Sequence, residues 1–69
     1  MLRSQDHIGK RIRKRRIELG WSQDYLAQVS GYSRIYILKV ENGHIKSPGI
    51  KALEKLSYCL GIKLESLWL

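Results

Sequence analysis

The sequence predicts an all-α domain, a compact bundle of five short helices. Gly20, Gly31, Gly43 and Gly61 divide the chain into segments of about a dozen residues, and within each segment apolar residues recur at helical rather than alternating spacing. No low-complexity tract, repeat or linker interrupts the pattern, and 69 residues leave room for one domain only, residues 1–69.

The first helix is expected to open at Asp6, a good N-cap, and to carry Ile8, Ile12 and Leu19 on one side until Gly20 ends it. Arg15 falls on the same stripe, where its aliphatic stem covers core while the head group is expected to escape to solvent. The second helix opens at Ser22 and runs through Leu26 and Ala27 to about Val29. The third opens at Ser33 and stops at Gly43. The fourth has Ser47 as its expected N-cap and Pro48 at the first helical position, where a missing N–H costs nothing. Its expected buried stripe is Ile50, Leu53, Leu56 and Leu60, closed by Gly61. Ile62, Leu64, Leu67 and Trp68 then suggest a short fifth helix, with Lys63 as a poor N-cap.

Composition narrows the function. The formal net charge is +7, and it is unevenly placed: residues 1–20 hold seven Lys/Arg against two Asp/Glu, the remainder six against four. Such an excess on a small domain points to phosphate-bearing polymers, nucleic acid ahead of anionic membrane, because the face offered by KRIRKRR is too narrowly apolar for a membrane surface. No apolar run approaches the roughly 20 residues that span a bilayer, and nothing resembles a secretory signal, so a cytoplasmic address is expected. Cys59, the one cysteine, reads as a small buried apolar residue, and His7 and His44 lie too far apart in sequence to suggest a zinc site. No acid/base or nucleophile cluster is present, so neither an enzyme nor a cofactor is expected.

Two short helices joined by a tight turn amount to a helix-turn-helix over about residues 22–42: Ala27 lets the helices approach and Gly31 takes the turn. In the second of them, SRIYILKVENG, five large apolar residues crowd one short helix. Successive residues turn about 100° around a helix axis. Ile37 and Val40, flanked by Tyr36 and Glu41, therefore face the core, and Arg34, Ile35, Leu38, Lys39 and Asn42 share the opposite side. Two cations, an amide and two apolar side chains suit a DNA major groove, where Arg meets guanine and apolar groups meet thymine methyls. Ile35 and Leu38 suit a protein surface as well.

The stretch IGKRIRKRRIELGWSQDYLAQVSGYSRIYILKVENG, followed by the Pro48 helix and LGIKLESLW, resembles the Cro/repressor-type (XRE) helix-turn-helix family along residues 8–68. The matching positions are Gln23, Ala27, Gly31, Ile37, Val40 and the run Glu41, Asn42, Gly43; Tyr32, Val29 and Arg15 depart from the family's usual residue types. The resemblance implies a five-helix, lambda-repressor-like bundle that binds a palindromic operator as a two-fold dimer, with the second helix of the motif in the major groove. Beside Arg34, Ile35, Leu38 and Lys39, which helix geometry makes candidates for reading bases, it adds Gln23, whose matching position in the family contacts DNA. It makes Ser22, Ser33, Asn42, His44 and Lys46 the candidates for the phosphate backbone, although Lys46 serves equally as a solvated loop side chain. Arg16 and Glu41 match an architectural ion pair tying helix one to helix three. The remaining cations of KRIRKRR read as a solvated face that adds long-range attraction.

The expected partner is double-stranded DNA and the expected function a transcriptional regulator. The alternative is a protein-interaction module of the same fold, such as an antitoxin. Leu64, Leu67, Trp68 and Leu69 crowd the final six residues, more apolar surface than one short helix buries, so a second copy is the expected cover; Trp68 alone fits its own core equally well. With no sensor segment after the fifth helix, no small-molecule ligand is expected.

Overall fold

A computed structural model describes residues 8–45 and 48–68. Four α-helices follow one another: α1 (Ile8–Glu18), α2 (Gln23–Ser30), α3 (Arg34–Glu41) and α4 (Ile50–Leu60), then a 3₁₀ turn at Leu64–Leu67. The described residues contain no strand. The expected opening of α1 at Asp6 lies outside the described residues.

Local chemistry sets the two helices of the motif. The Ser22 hydroxyl accepts the Tyr25 N–H at 3.0 Å and the Ser33 hydroxyl accepts the Tyr36 N–H at 3.0 Å, each satisfying an amide that the first helical turn leaves without a partner. Between them Gly31 stands at φ 81° and donates its N–H to the Ala27 carbonyl at 2.9 Å, a left-handed C-cap that a Cβ would strain.

The C-terminal third departs from expectation in three ways. The fourth helix begins at Ile50, not Pro48: Gly49, extended at φ −60° and ψ 155°, is the N-cap and offers no side-chain cap, while Pro48 is buried ahead of the helix. Ser47 lies outside the described residues. Ile50, expected in the buried stripe, is exposed at the helix's first residue; Ala52, Leu53, Leu56, Ser57 and Leu60 form the buried face. The fifth α-helix is instead a single 3₁₀ turn. Ser66 N–H bonds the Lys63 carbonyl and Trp68 N–H the Glu65 carbonyl, both three residues back, and Lys63 supplies no side-chain cap.

The core gathers Ile12 of α1, Leu26 and Ala27 of α2, Ile37 and Val40 of α3, and Leu53, Leu56 and Leu60 of α4, closed by Leu67 of the 3₁₀ turn. Helix α1 lies so close to α3 that a Cβ on Gly9 would fall 1.7 Å from the Val40 carbonyl oxygen. Glycine is required there by space.

The head group of Arg15 reaches solvent only in part, its side chain 33% exposed. Its Nε donates to the Leu60 carbonyl at 2.9 Å, because the last carbonyls of α4 lack intrahelical donors and α1 passes beside them. Arg11 does the same for the 3₁₀ turn, donating to the Ser66 carbonyl at 3.0 Å.

Candidate nucleic-acid interface

The two faces of α3 differ sharply. Ile37, Val40 and Glu41 are buried, whereas Arg34, Lys39 and Asn42 are exposed, with Ile35 62% and Leu38 38% exposed. Burying Ile37 and Val40 against the core fixes the helix phase, and the remaining side chains have no choice but to project outward.

Beneath this face lies a polar network. Arg16 reaches from α1 to Glu41 at the end of α3 with two parallel bonds, Nε to Oε2 at 2.7 Å and a terminal nitrogen to Oε1 at 2.9 Å. Its other terminal nitrogen donates to the Trp21 carbonyl at 2.7 Å. Gln23 completes the network through an amide N–H to Glu41 Oε1 at 3.1 Å. A carboxylate only accepts, so the Gln23 amide nitrogen faces inward, leaving its carbonyl oxygen and second N–H for an outside partner. No buried side-chain polar atom among the described residues lacks a hydrogen bond.

Beside Gln23, Asp24 accepts Arg34 Nε at 3.3 Å in an exposed ion pair. Neighbouring residues of the first turn of α2 thus grip opposite ends of α3, Gln23 at Glu41 and Asp24 at Arg34. That pairing depends on how the helices cross, and nothing in the sequence signals it. Gly9 was legible in principle, since a lone glycine inside a helical pattern marks a close approach.

Ser22 and Ser33 are exposed at the N-termini of the two motif helices; each accepts its capping bond and keeps an O–H to donate. Asn42 and His44 are exposed just past α3, with their backbone N–H groups bonded to the Leu38 and Lys39 carbonyls at 3.0 and 2.9 Å. Lys46 lies outside the described residues. Along the edge of α3, Tyr36 packs on Tyr32 with ring centroids 4.8 Å apart, and burial, aided by the neighbouring Tyr32, raises the Tyr36 hydroxyl above its ordinary pKa.

The expected dimer cluster divides. Leu67 is fully buried in its own core, a correction to its reading as an interface residue, because a side chain at 0% exposure has no surface to offer a second copy. Leu64 is half-buried against the same core and Trp68 keeps 36% of its surface open. Leu69 lies outside the described residues. Among the described residues no group of His, Cys, Asp or Glu is placed to hold a metal ion, and no helix is long and apolar enough to cross a membrane.

The helix-turn-helix family profile matches residues 12–67, from the first core isoleucine to the last core leucine. The chain belongs to the XRE-type helix-turn-helix family. It is 35% identical over 60 residues to the transcriptional regulator SinR of Bacillus subtilis, covering 87% of this chain and 54% of SinR. With the regulator SlrR of the same organism it shares 38% identity over 61 residues, 88% of this chain and 40% of SlrR. The chain thus spans about half the length of the curated relatives it matches. Its backbone superposes on the crystal structure of SinR in complex with DNA with a TM-score of 0.83 at 35% identity, covering 87% of this chain and 95% of that one. Helices α2 and α3 and the Gly31 turn between them lie inside the matched residues.

Proposed function

We propose that this chain is a sequence-specific DNA-binding transcriptional regulator that places α3 in the major groove of a palindromic operator and binds as a two-fold dimer. The observation that carries the reading is the division of α3: Ile37, Val40 and Glu41 hold it to the domain, while Arg34, Ile35, Leu38 and Lys39 stand outward together. Arginine bonds guanine N7 and O6 in pairs and apolar side chains meet thymine methyls, so the exposed set fits base reading. The likeness to SinR, which has been crystallised with DNA, supports it. Gln23, held from behind by Glu41, offers its amide to the same duplex.

Ser22, Ser33, Asn42, His44 and Lys46 take the phosphate role in this reading, where backbone amides at the starts of α2 and α3 and the exposed donors beyond α3 fix register. A single short helix reads only a few base pairs. Two copies with recognition helices about 34 Å apart double that reading. Leu64, Trp68 and Leu69 are the remaining dimer candidates.

The test is a titration with random-sequence and selected duplexes at two salt concentrations. Preference for the selected duplex by at least about 10³-fold supports base recognition, and a steep salt slope on both measures the phosphate contacts. Equal affinity for both duplexes overturns it. Absence of binding to either turns attention to the antitoxin-like alternative, in which the α3 face meets protein.

A further inference from the structure

The side of α1 turned away from α3 carries a second feature. Gly9, Ile12 and Arg16 face inward; round the helix from them lie first Arg13, about a fifth of a turn away, then Ile17, about a third, and Lys14, nearly a half. They line an open groove of about 800 Å³ between α1 and the turn after α4, to which Ile62 also contributes. Five of its lining residues are basic and one is acidic.

The groove is partly pre-arranged. Arg11 and Arg15 on its edge donate to the Ser66 and Leu60 carbonyls, and Arg15 also pairs with Glu18 at 3.5 Å. Arg13 and Lys14 make no ion pair among the described residues. In their midst Ile17 leaves 53% of its surface in water and Ile62 is half-buried.

A phosphate backbone uses the cations but has no use for the isoleucines. A membrane surface needs a broader apolar face. A helical protein segment with carboxylates on its flanks and a leucine or similar residue between them satisfies both halves of the groove at once. We infer that this groove docks an acidic, amphipathic segment of a partner protein, its apolar anchor between Ile17 and Ile62 and its carboxylates against Arg13 and Lys14. The docking face is separate from the outward face of α3.

The experiment uses the full chain, isotope-labelled, and a synthetic helical peptide of Glu, Ala and Leu whose leucines fall three and four residues apart. A scrambled peptide of the same composition, a random DNA duplex and phosphatidylglycerol vesicles are the comparators. The patterned peptide is expected to shift the amides of residues 10–18, 62 and 66, and to bind about tenfold more tightly than the scrambled one. Ile17→Ser and the charge reversal Arg13→Glu/Lys14→Glu are each expected to weaken it by a similar factor. Circular dichroism checks that the variants fold, and Arg13→Ala carries the comparison if the double reversal does not. Equal binding of patterned and scrambled peptides, shifts centred on α3, or displacement of the peptide from the same amides by duplex or vesicles overturns the proposal. The assay contains no operator, so it succeeds or fails independently of the DNA reading.

Discussion

Arg16 and Glu41 form a bidentate ion pair, with Nε–Oε2 at 2.7 Å, the Glu41 side chain fully buried and that of Arg16 10% exposed. It joins α1 to the end of α3 and, through Gln23, fixes the head of α2. Removing one partner strands a charge in a poor solvent. Arg16→Ala is therefore expected to cost about 3–5 kcal/mol, a large part of the stability of so small a domain. Replacing both, as Arg16→Met/Glu41→Leu, is expected to cost clearly less than either single change while still weakening DNA binding, because Gln23 loses its anchor. Urea unfolding beside a DNA titration separates the two effects; a double variant as unstable as the worse single one contradicts the account.

Gly9→Ala sets helix propensity against space. Alanine favours a helix interior by about 1 kcal/mol over glycine, yet its Cβ would meet the Val40 carbonyl oxygen at 1.7 Å. Overpacking at backbone, which cannot rotate away, is expected to win by about 1–3 kcal/mol and to lower the melting temperature by roughly 5 °C or more. A melting temperature that rises would mean α1 and α3 are further apart than described.

Base reading by α3 makes stability and affinity separable. Arg34→Ala is expected to lose about 1–3 kcal/mol on the selected operator and much less on random DNA, and Leu38→Ala to lose less in the same sense. Neither is expected to move the melting temperature much: both side chains are exposed, and the Arg34–Asp24 pair is a surface pair worth at most about 1 kcal/mol. Equal losses on both duplexes would reassign Arg34 to the phosphates.

The raised pKa of Tyr36, caused first by burial and then by Tyr32, predicts an alkaline weakness. The folded chain holds this proton to higher pH than the unfolded chain, whose tyrosines titrate near about 10. The contribution to stability is therefore fully present below about pH 10 and is lost as pH rises through the folded-state value. Tyr36→Phe should flatten the fall of stability above pH 10 in denaturant titrations; an unchanged slope would assign the alkaline loss to other groups.

For assembly the informative residue is Trp68. Leu67→Glu would place a charge in the core and unfold the domain, whereas Trp68→Glu alters a partly open side chain. Sedimentation of operator-bound protein should show two chains for the parent and weakened pairing for Trp68→Glu. Pairing that survives the substitution would move the contact away from the C-terminal turn.

Much of the helix pattern was legible because its causes are local. Ser22 and Ser33 cap the helices that follow them, Gly31 takes the left-handed turn between, and the spacing of Ile37 and Val40 sets which side of α3 faces in. Each of these depends on a residue and neighbours within one or two turns of chain. Where the same local rules met weaker signals they misplaced the result: Pro48 precedes α4 instead of opening it, and four residues after Lys63 close only a 3₁₀ turn.

What the tertiary structure alone decided is which side chains meet across helices. Asp24 reaches Arg34, Arg15 finds the Leu60 carbonyl, Gly9 admits the backbone at Val40, Ile50 is left uncovered, and Leu67 goes into the core while Trp68 stays partly out. A helix's own sequence fixes its phase, but the distance and angle at which two helices cross come from the packing of all of them at once, and hydrogen bonds between their side chains exist only after that packing is set.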